Sequence, residues 1–367
     1  MKFCRGSQGN IFILSKYNNT ECETERRKAL FSSKKYRIVK GICLILALTI
    51  CAVYISGASP RGISLQTGAD GKSYIKWVDF GITEAALSDA VRLGIKSHDE
   101  GHAFGMTELL AYLGARYGGD FSRYKKADME SAYSSLSENA ACFDSMKYYS
   151  YYKEAYGAVL SGWLGEYSVY EKKDGGYTYT EKYGLKVFSP IASGFSYSDY
   201  DDFGAARSFG YRRRHLGHDM LGSIGTPIIA VESGYVEAVG WNRYGGWRIG
   251  IRSFDGKRYY YYAHLRRNHP YADMYEGKIV TAGDVIGYLG MTGYSSEENK
   301  NNINVPHLHI GLQLIFDTSQ KDGTNQIWID MYEITKFLSK YRSKVYYDKE
   351  KGEYLPVNPM TDFSLPD

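Results

Sequence analysis

The chain has 367 residues, a formal net charge of +4 and five cysteines. This length suggests about two or three domains, and so small a charge does not favour nucleic-acid binding. The cysteines form no CxxC pair, and only Cys142 lies beyond residue 51. Thiolate zinc sites and a disulfide framework for most of the chain are therefore excluded. The 36 tyrosines fit half-exposed strands and a ligand-binding groove equally well.

The first apolar segment is GICLILALTICAVYISG at residues 41–57, which carries no charge and is just long enough for a membrane span. The 40 residues before it contain ten Lys or Arg and three Asp or Glu. This asymmetry places the N-terminus in the cytoplasm and everything after residue 58 outside. We predict a cytoplasmic basic tail at 1–40 and an uncleaved single-pass signal anchor at 41–58 in the cell membrane. A cleaved signal peptide is the alternative, because SGAS at 56–59 is rich in small residues.

Residues 59–167 are predicted to form a mainly helical extracytoplasmic domain. The segment 83–97 places apolar residues on one stripe behind Thr83 as N-cap, and 106–119 repeats the pattern and ends at a glycine pair. The motif HDEGH at 98–102 superficially resembles a zinc-binding helix. However, Glu100 does not directly follow His98, and Gly101 weakens a helix, so we expect a solvated loop. This domain could act as a spacer, an autoinhibitory cap or a docking site for a protein partner.

From about residue 168 the pattern changes to short, alternating segments separated by glycines. We predict a linker at 168–204, a mainly antiparallel β domain at 205–345 and a C-terminal tail at 346–367. Within the β domain, the dipeptide DG at 255–256 between two alternating runs predicts a hairpin. A final helix is predicted at 330–342.

Six of the eight histidines lie between residues 215 and 309. In PHLHIGLQL, a strand would point His307 and His309 to the same face, whereas the residues between and after them point into the core. Two histidines on one strand face form a metal site, a catalytic pair or a solvated surface. The HxH motif alone does not distinguish these.

The stretch RRRHLGHDMLG at 212–222 contains three further candidate ligands. If it is extended, His215 and Asp219 share a face with Gly217 giving room between them, and His218 points away. A helix would instead bring all three together. Two imidazole nitrogens and one carboxylate oxygen, with water as the fourth ligand, make an open zinc site of the catalytic kind, for which His309 is the natural third protein ligand.

A zinc hydrolase also needs a base for the attacking water and a group that stabilises the oxyanion. No suitably placed Glu is present, so His264, at the end of the strand-forming run YYYYAHL, and His307 are the candidates. Tyr244 and Tyr262 are candidate groove residues, although a packed or surface tyrosine is the commoner case.

Taken together, these segments resemble the lysostaphin/LytM-type zinc metallo-endopeptidases that cut peptide bonds in bacterial cell walls. The matching pieces are HLGHD with GTPIIAVESGYVEAVG, then YAHL, GDVIGYLGMTGYS and PHLHIGL, in the family's order over roughly residues 205–316. The resemblance implies one zinc ion on His215, Asp219 and His309, and catalytic roles for His264 and His307. It implies an endopeptidase whose substrates are peptidoglycan peptides, and the signal anchor predicted above would hold this enzyme at the membrane.

The resemblance leaves two questions open. Some family members have lost the site, so a catalytically silent wall-binding or scaffold protein of the same fold is the alternative function. The scissile bond is also open, because glycine cross-bridges and stem-peptide crosslinks both fit.

The polar insertion SEENKNNINV at 296–305 departs from the family pattern and is expected to form a loop beside the cleft that affects substrate choice.

Overall fold

This computed structural model describes residues 65–67, 73–75, 78–208, 212–321 and 325–364. Residues Gly62–Asp367 form one compact unit. Among the helices in these described ranges, none is long and apolar enough to cross a membrane. The predicted basic tail at 1–40 and anchor at 41–58 lie outside the described residues.

Four α-helices precede the main sheet and a fifth follows it. They are α1 (Glu84–Asp99), α2 (Met106–Tyr117), α3 (Lys126–Glu138), α4 (Tyr149–Leu160) and α5 (Tyr332–Leu338). The predicted helical region before the sheet is confirmed. The predicted N-cap is also confirmed, because the Thr83 side chain accepts a hydrogen bond from the Ala86 amide at the start of α1.

The helix ends follow the local sequence closely. Gly118 ends α2 in the left-handed conformation, with φ 66°, which glycine adopts without steric cost. The HDEGH segment, expected to be a loop, is partly helical. His98 and Asp99 complete α1, and Glu100 begins the turn that follows. The last helix, α5, is shorter than the predicted 330–342 because Asp330 caps its start and the chain turns after Leu338.

The strands run antiparallel throughout the described chain. They are β1 (Leu65–Thr67), β2 (Ser73–Ile75), β3 (Leu164–Lys173), β4 (Gly176–Leu185), β5 (Tyr197–Asp199), β6 (Ala206–Arg207), β7 (Arg213–Arg214), β8 (His218–Gly222), β9 (Pro227–Ile229), β10 (Gly234–Asn242), β11 (Gly246–Ser253), β12 (Arg258–Ala263), β13 (Ile279–Val280), β14 (Val285–Tyr288), β15 (His307–Leu314), β16 (Ile327–Ile329), β17 (Val345–Asp348), β18 (Glu353–Pro356) and β19 (Met360–Asp362).

The main sheet has the order β13-β10-β11-β12-β15-β8-β5, and β16 pairs with the second half of β15. The predicted antiparallel β domain is therefore confirmed. One face of this sheet packs on the hydrophobic core that it shares with the helices, and the other face is open. The DG prediction is also confirmed: Asp255 accepts a hydrogen bond from the Lys257 amide, and Gly256 has φ 73° in the β11–β12 turn.

The segments predicted to be a linker and a tail contain strands. β3 and β4 form a hairpin of two ten-residue strands, β3 also pairs with β19 near the C-terminus, and β17 pairs with β18. Lys186, directly after β4, donates a 2.6 Å hydrogen bond to Asp362 in β19, and both side chains are buried. The division into domains at 59–167, 168–204, 205–345 and 346–367 stays a prediction.

Candidate metal centre and active-site cleft

The first half of β15 carries two histidines onto the open face of the sheet. Leu308 and Ile310 are fully buried in the core, whereas His307 and His309 alternate with them and face the cleft. The period-two reading of PHLHIGLQL is thus the arrangement observed.

Asp219 lies directly across from His309, because these two residues pair in the β8–β15 ladder. His215 reaches the same place from the irregular residues between β7 and β8. Its Nε2 atom lies 3.0 Å from Asp219 Oδ1 and 3.0 Å from His309 Nδ1, and His309 Nδ1 lies 2.9 Å from the same carboxylate oxygen. Three electron-pair donors thus converge on one point.

This donor set fits a divalent cation. His215, Asp219 and His309 are the one group of potential ligands found in the described part of the chain. Two imidazole nitrogens and a carboxylate oxygen that meet so closely repel one another unless a cation or a shared proton lies between them. Two nitrogens and one oxygen are a ligand set that zinc accepts in an open tetrahedral site.

The electrostatics of Asp219 and His309 favour the forms that bind a metal. Burial by itself would raise the pKa of Asp219, but the hydrogen bonds from His215 and His309 outweigh it and hold that pKa well below its usual range. Burial lowers the pKa of His309, although Asp219 opposes this. The carboxyl group is therefore ionised and the His309 ring neutral at neutral pH.

Gly217 makes the approach of the ligands sterically feasible. A Cβ atom at this position would lie 2.5 Å from Cε1 and Nε2 of His309 and 2.8 Å from the Ile310 carbonyl oxygen. His218 faces the opposite side of the sheet, where it is buried and its Nε2 lies 2.9 Å from Asp199 Oδ2. The extended reading of HLGHD thus matches the placement of these side chains.

Two residues that the sequence did not indicate contact the candidate ligands and hold them in place. Asp202 Oδ1 lies 3.0 Å from Nδ1 of His215, and a carboxylate accepts the Nδ1 proton and leaves Nε2 free. Arg207 bonds Asp202 and also lies 3.2 Å from Asp219 Oδ2, the carboxylate oxygen that faces away from the histidines. Both residues come from a loop-like segment whose composition gives no signal of this role.

His264 and His307, the candidate catalytic pair, lie side by side with ring centroids 4.7 Å apart. Nδ1 of His264 lies 2.9 Å from the Thr292 carbonyl oxygen, and Nδ1 of His307 lies 2.8 Å from the Val305 carbonyl oxygen. A carbonyl only accepts, so Nδ1 carries the proton in both rings and Nε2 is unprotonated in the neutral form. Nε2 of His307 lies 3.7 Å from Asp219 Oδ1.

His264 also has an unusual backbone. Its φ of 63° places a non-glycine residue in the left-handed region, at a cost on the order of 1 kcal/mol or more. The hydrogen bond from its amide to the Gly245 carbonyl holds this conformation. Burial, together with the neighbouring His307 and His309, lowers the pKa of His264 well below its ordinary value, so this ring is neutral at neutral pH.

The three candidate ligands and the histidine pair line a cleft of about 590 Å³ on the open face of the sheet. Tyr244 lines the cleft, as the sequence suggested, but Tyr262 does not, because it lies on the core face of β12 and accepts a hydrogen bond from the Val231 amide. Within the insertion at 296–305, Asn299 accepts hydrogen bonds from Trp247 Nε1 and the Asn268 amide, and no residue of this insertion lines the cleft.

Residues 213–322 match the profile of peptidase family M23. This chain carries an M23 peptidase domain. An L-Ala–D-Glu endopeptidase of Bacillus subtilis (strain 168) is 37% identical over 163 residues, which cover 44% of this chain and 45% of the relative. Lysostaphin of Staphylococcus simulans is 38% identical over 96 residues, 26% of this chain and 17% of the relative. The resemblance to the lysostaphin/LytM-type family is therefore confirmed, and the matches span less than half the length of these curated relatives.

A solved structure from Ruminococcus gnavus ATCC 29149, which carries the provisional name glycyl-glycine endopeptidase lytM, extends the M23 fold beyond the matched residues. It covers 74% of this chain and 94% of its own, with 21% sequence identity and a TM-score of 0.50. At this identity, the likeness shows a shared fold over a longer stretch than the family match alone.

Proposed function

We propose that the chain is a zinc-dependent endopeptidase that hydrolyses peptide bonds of bacterial peptidoglycan. The observation that carries this proposal is the convergence of His215, Asp219 and His309 beside a second histidine pair in an open cleft. Membrane anchoring through residues 41–58, with the M23 domain outside the cell, is part of the proposal and is supported by the charge asymmetry of the N-terminal segment.

His215, Asp219 and His309 would hold the zinc ion. Bound zinc would act as a Lewis acid towards the scissile carbonyl and lower the pKa of a water molecule towards about 7. Asp202 and Arg207 keep the ligands oriented, since Asp202 fixes the His215 tautomer and Arg207 holds the outer oxygen of Asp219.

The histidine pair supplies the proton transfer. Each of His264 and His307 has its Nδ1 proton held by a backbone carbonyl, so each presents Nε2 as the group that exchanges a proton with the reactants. One ring accepts the proton of the attacking water. That proton passes to Nε2 of the other ring, which donates a hydrogen bond to the tetrahedral oxyanion and then delivers the proton to the leaving amine, so that both rings return to their starting form. Two imidazoles side by side can divide these tasks without a carboxylate base.

The two bond types in the names of related proteins define the substrate alternatives. One is a bond beside glutamate, as in an L-Ala–D-Glu endopeptidase, and the other is a glycine–glycine bond. Both occur as peptide bonds of cell-wall material, and the Lewis-acid chemistry serves either.

The test is digestion of purified peptidoglycan by the full chain, with and without a chelator, followed by mass spectrometry of the released fragments. We expect His309→Ala to lose bound zinc and fragment release together. His218→Ala, which changes a histidine on the opposite face, should keep one zinc ion per chain. Fragment release that survives in His309→Ala contradicts the enzyme proposal, and wall binding without release by the zinc-loaded protein favours the silent-scaffold alternative.

A further inference from the structure

Two arginines face the active-site cleft without a carboxylate partner in the described part of the chain. Arg248 lies on the cleft face of β11, is half-buried, and its side chain makes no hydrogen bond to the described residues. Arg213 stacks on the rings of Tyr244 and Tyr294 and donates a 2.7 Å hydrogen bond to the Tyr294 hydroxyl. Its Nη1 atom is buried and has no hydrogen-bond partner there.

The other cations around the cleft are either paired or exposed. Arg252 bonds Glu237 at 2.6 Å, and Lys321 bonds the same carboxylate, at the end of the cleft away from the metal centre. Arg207 is held by Asp202. Arg214 also lines the cleft without a carboxylate partner among the described residues, but it is exposed to water. Removing a guanidinium from water is costly unless an anion compensates it, so the half-buried Arg213 and Arg248 are the unpaired cations that favour an anionic ligand.

Arg248 stands close to the metal centre in the sheet. It extends the register that pairs Ile249 with Tyr262, which places it beside Ala263, and Ala263 pairs with His309. Two strand spacings separate Arg248 from His309, or about 10 Å between backbones. The residue between them is Ala263, a small side chain that also lines the cleft. A group bound by Arg248 therefore lies within about three peptide residues of the reacting bond.

Arg213, in β7, lines the same cleft as Arg248. Tyr261 also lines this cleft, and its hydroxyl accepts a hydrogen bond from Asn242. Glycine at position 245 makes room for it, since a Cβ there would lie 2.1 Å from that hydroxyl.

We propose that Arg213 and Arg248 form a subsite for a carboxylate of the substrate, and that the scissile bond therefore lies in an acidic stem peptide. Guanidinium groups bind carboxylates with paired, charge-assisted hydrogen bonds. A bond beside glutamate has a free carboxylate within one residue, whereas a glycine bridge has none along its length. The inference rests on the proposed function and selects between its two substrate classes.

The test uses the full chain and two matched peptides. Both contain an L-Ala–D-Glu bond and an amidated C-terminus, and they differ only in whether the glutamate carboxylate is free or amidated. Binding is measured by calorimetry on metal-free protein, so that no cleavage occurs, and kcat/KM is measured on zinc-loaded protein. Pentaglycine with a free or an amidated C-terminus forms the third and fourth probes, which separate an internal carboxylate from a chain terminus.

We expect the free acid to bind about 10- to 100-fold more tightly than its amide, as the loss of a charged hydrogen bond predicts. Arg248→Gln and Arg213→Gln should each reduce that ratio to about threefold or less, through weaker binding of the free acid. Arg212→Gln, a neighbouring exposed arginine outside the cleft lining, should keep the full ratio.

Equal binding of acid and amide by the wild type, or a ratio that survives in both cleft variants, would overturn the subsite. A preference for the pentaglycine carboxyl terminus over the internal carboxylate would overturn the stem-peptide assignment. Cleavage of pentaglycine but not of the acidic peptide leaves the endopeptidase proposal standing and rejects this inference. Acid discrimination without cleavage of any probe keeps the subsite and rejects the endopeptidase proposal.

Discussion

Gly217 lies between the two ligands of the HLGHD motif and against the ring of the third. The ring of His309 occupies the space where any larger side chain at 217 would begin. A side chain at 217 would also meet the Ile310 carbonyl oxygen, which belongs to the β15 ladder and cannot move independently. A methyl group at this position must therefore displace either the ligand ring or the strand.

We predict that Gly217→Ala lowers the affinity for zinc by at least about tenfold, because the displaced ring no longer directs Nδ1 at the other two ligands. Competition with a chromophoric chelator measures this affinity. Gly176→Ala, in the β3–β4 turn with no heavy atom within 4 Å of the added Cβ, is the matched control. Unchanged zinc affinity in Gly217→Ala would show that the site tolerates a shifted ring.

At the scale of elements, α2 and α4 pack through a glycine contact. A Cβ on Gly114 of α2 would lie 2.8 Å from the Tyr156 ring and 2.9 Å from the Tyr152 ring of α4. Both tyrosines are buried, so neither ring can swing into solvent. Gly157 of α4 differs, since its added Cβ would make an ordinary 3.5 Å contact with the Thr107 methyl.

We predict opposite effects for alanine at these two helical glycines. Gly114→Ala should lower the free energy of unfolding by about 1–3 kcal/mol through overpacking. Gly157→Ala should raise it by about 0.5–1 kcal/mol, because alanine loses less backbone entropy in a helix. Denaturant unfolding followed by tryptophan fluorescence gives both values. A stabilising Gly114→Ala would mean that the two helices can separate at little cost.

At the scale of the whole molecule, buried ion pairs join segments that are distant in sequence. Arg258 of β12 is buried, bonds Glu232, and donates to the Ala158 carbonyl and the Ser161 hydroxyl at the end of α4. Lys186 and Asp362 join the β3–β4 hairpin region to the C-terminal strand. Such pairs add little net stability when intact, but removing one partner leaves an uncompensated charge in the interior.

We predict that Asp362→Asn lowers the free energy of unfolding by about 3–5 kcal/mol, because Lys186 stays buried without its carboxylate. Glu171→Gln breaks the Lys182 pair, whose side chains are 40% and 31% exposed, and should cost less than about 1 kcal/mol. Denaturant midpoints of the two variants provide the comparison. Equal losses would show that the Lys186 ammonium reaches solvent.

The same pair contributes to the pH dependence of stability. Burial raises the pKa of Asp362, but hydrogen bonds from Lys186 and Ser364 outweigh it, so the folded-state pKa is below the unfolded one. This stabilisation is present above the unfolded pKa of about 3.9 and is lost as the pH falls through the folded one. Asp362→Asn should therefore show a shallower loss of stability below about pH 4 than the wild type.

Local sequence by itself determined the elements that carry the metal centre. The alternation in PHLHIGL fixes which face His307 and His309 share, because side chains in a strand have a period of two. The same period places the His218 and Asp219 side chains on opposite faces of the sheet, and the DG turn determines where β11 and β12 form a hairpin. These are short-range consequences of backbone geometry, so they need no knowledge of the rest of the fold.

Only the tertiary structure decided what surrounds that centre. Asp202 comes from a loop, and Arg207, Arg213 and Arg248 come from three strands, so no spacing rule connects them with the candidate ligands. The β3–β4 hairpin likewise becomes part of the fold through its pairing with β19, about 190 residues further along the chain. Contacts between distant segments decide which charged side chains form ion pairs and which remain available to a ligand. Those contacts exist only once the chain has packed.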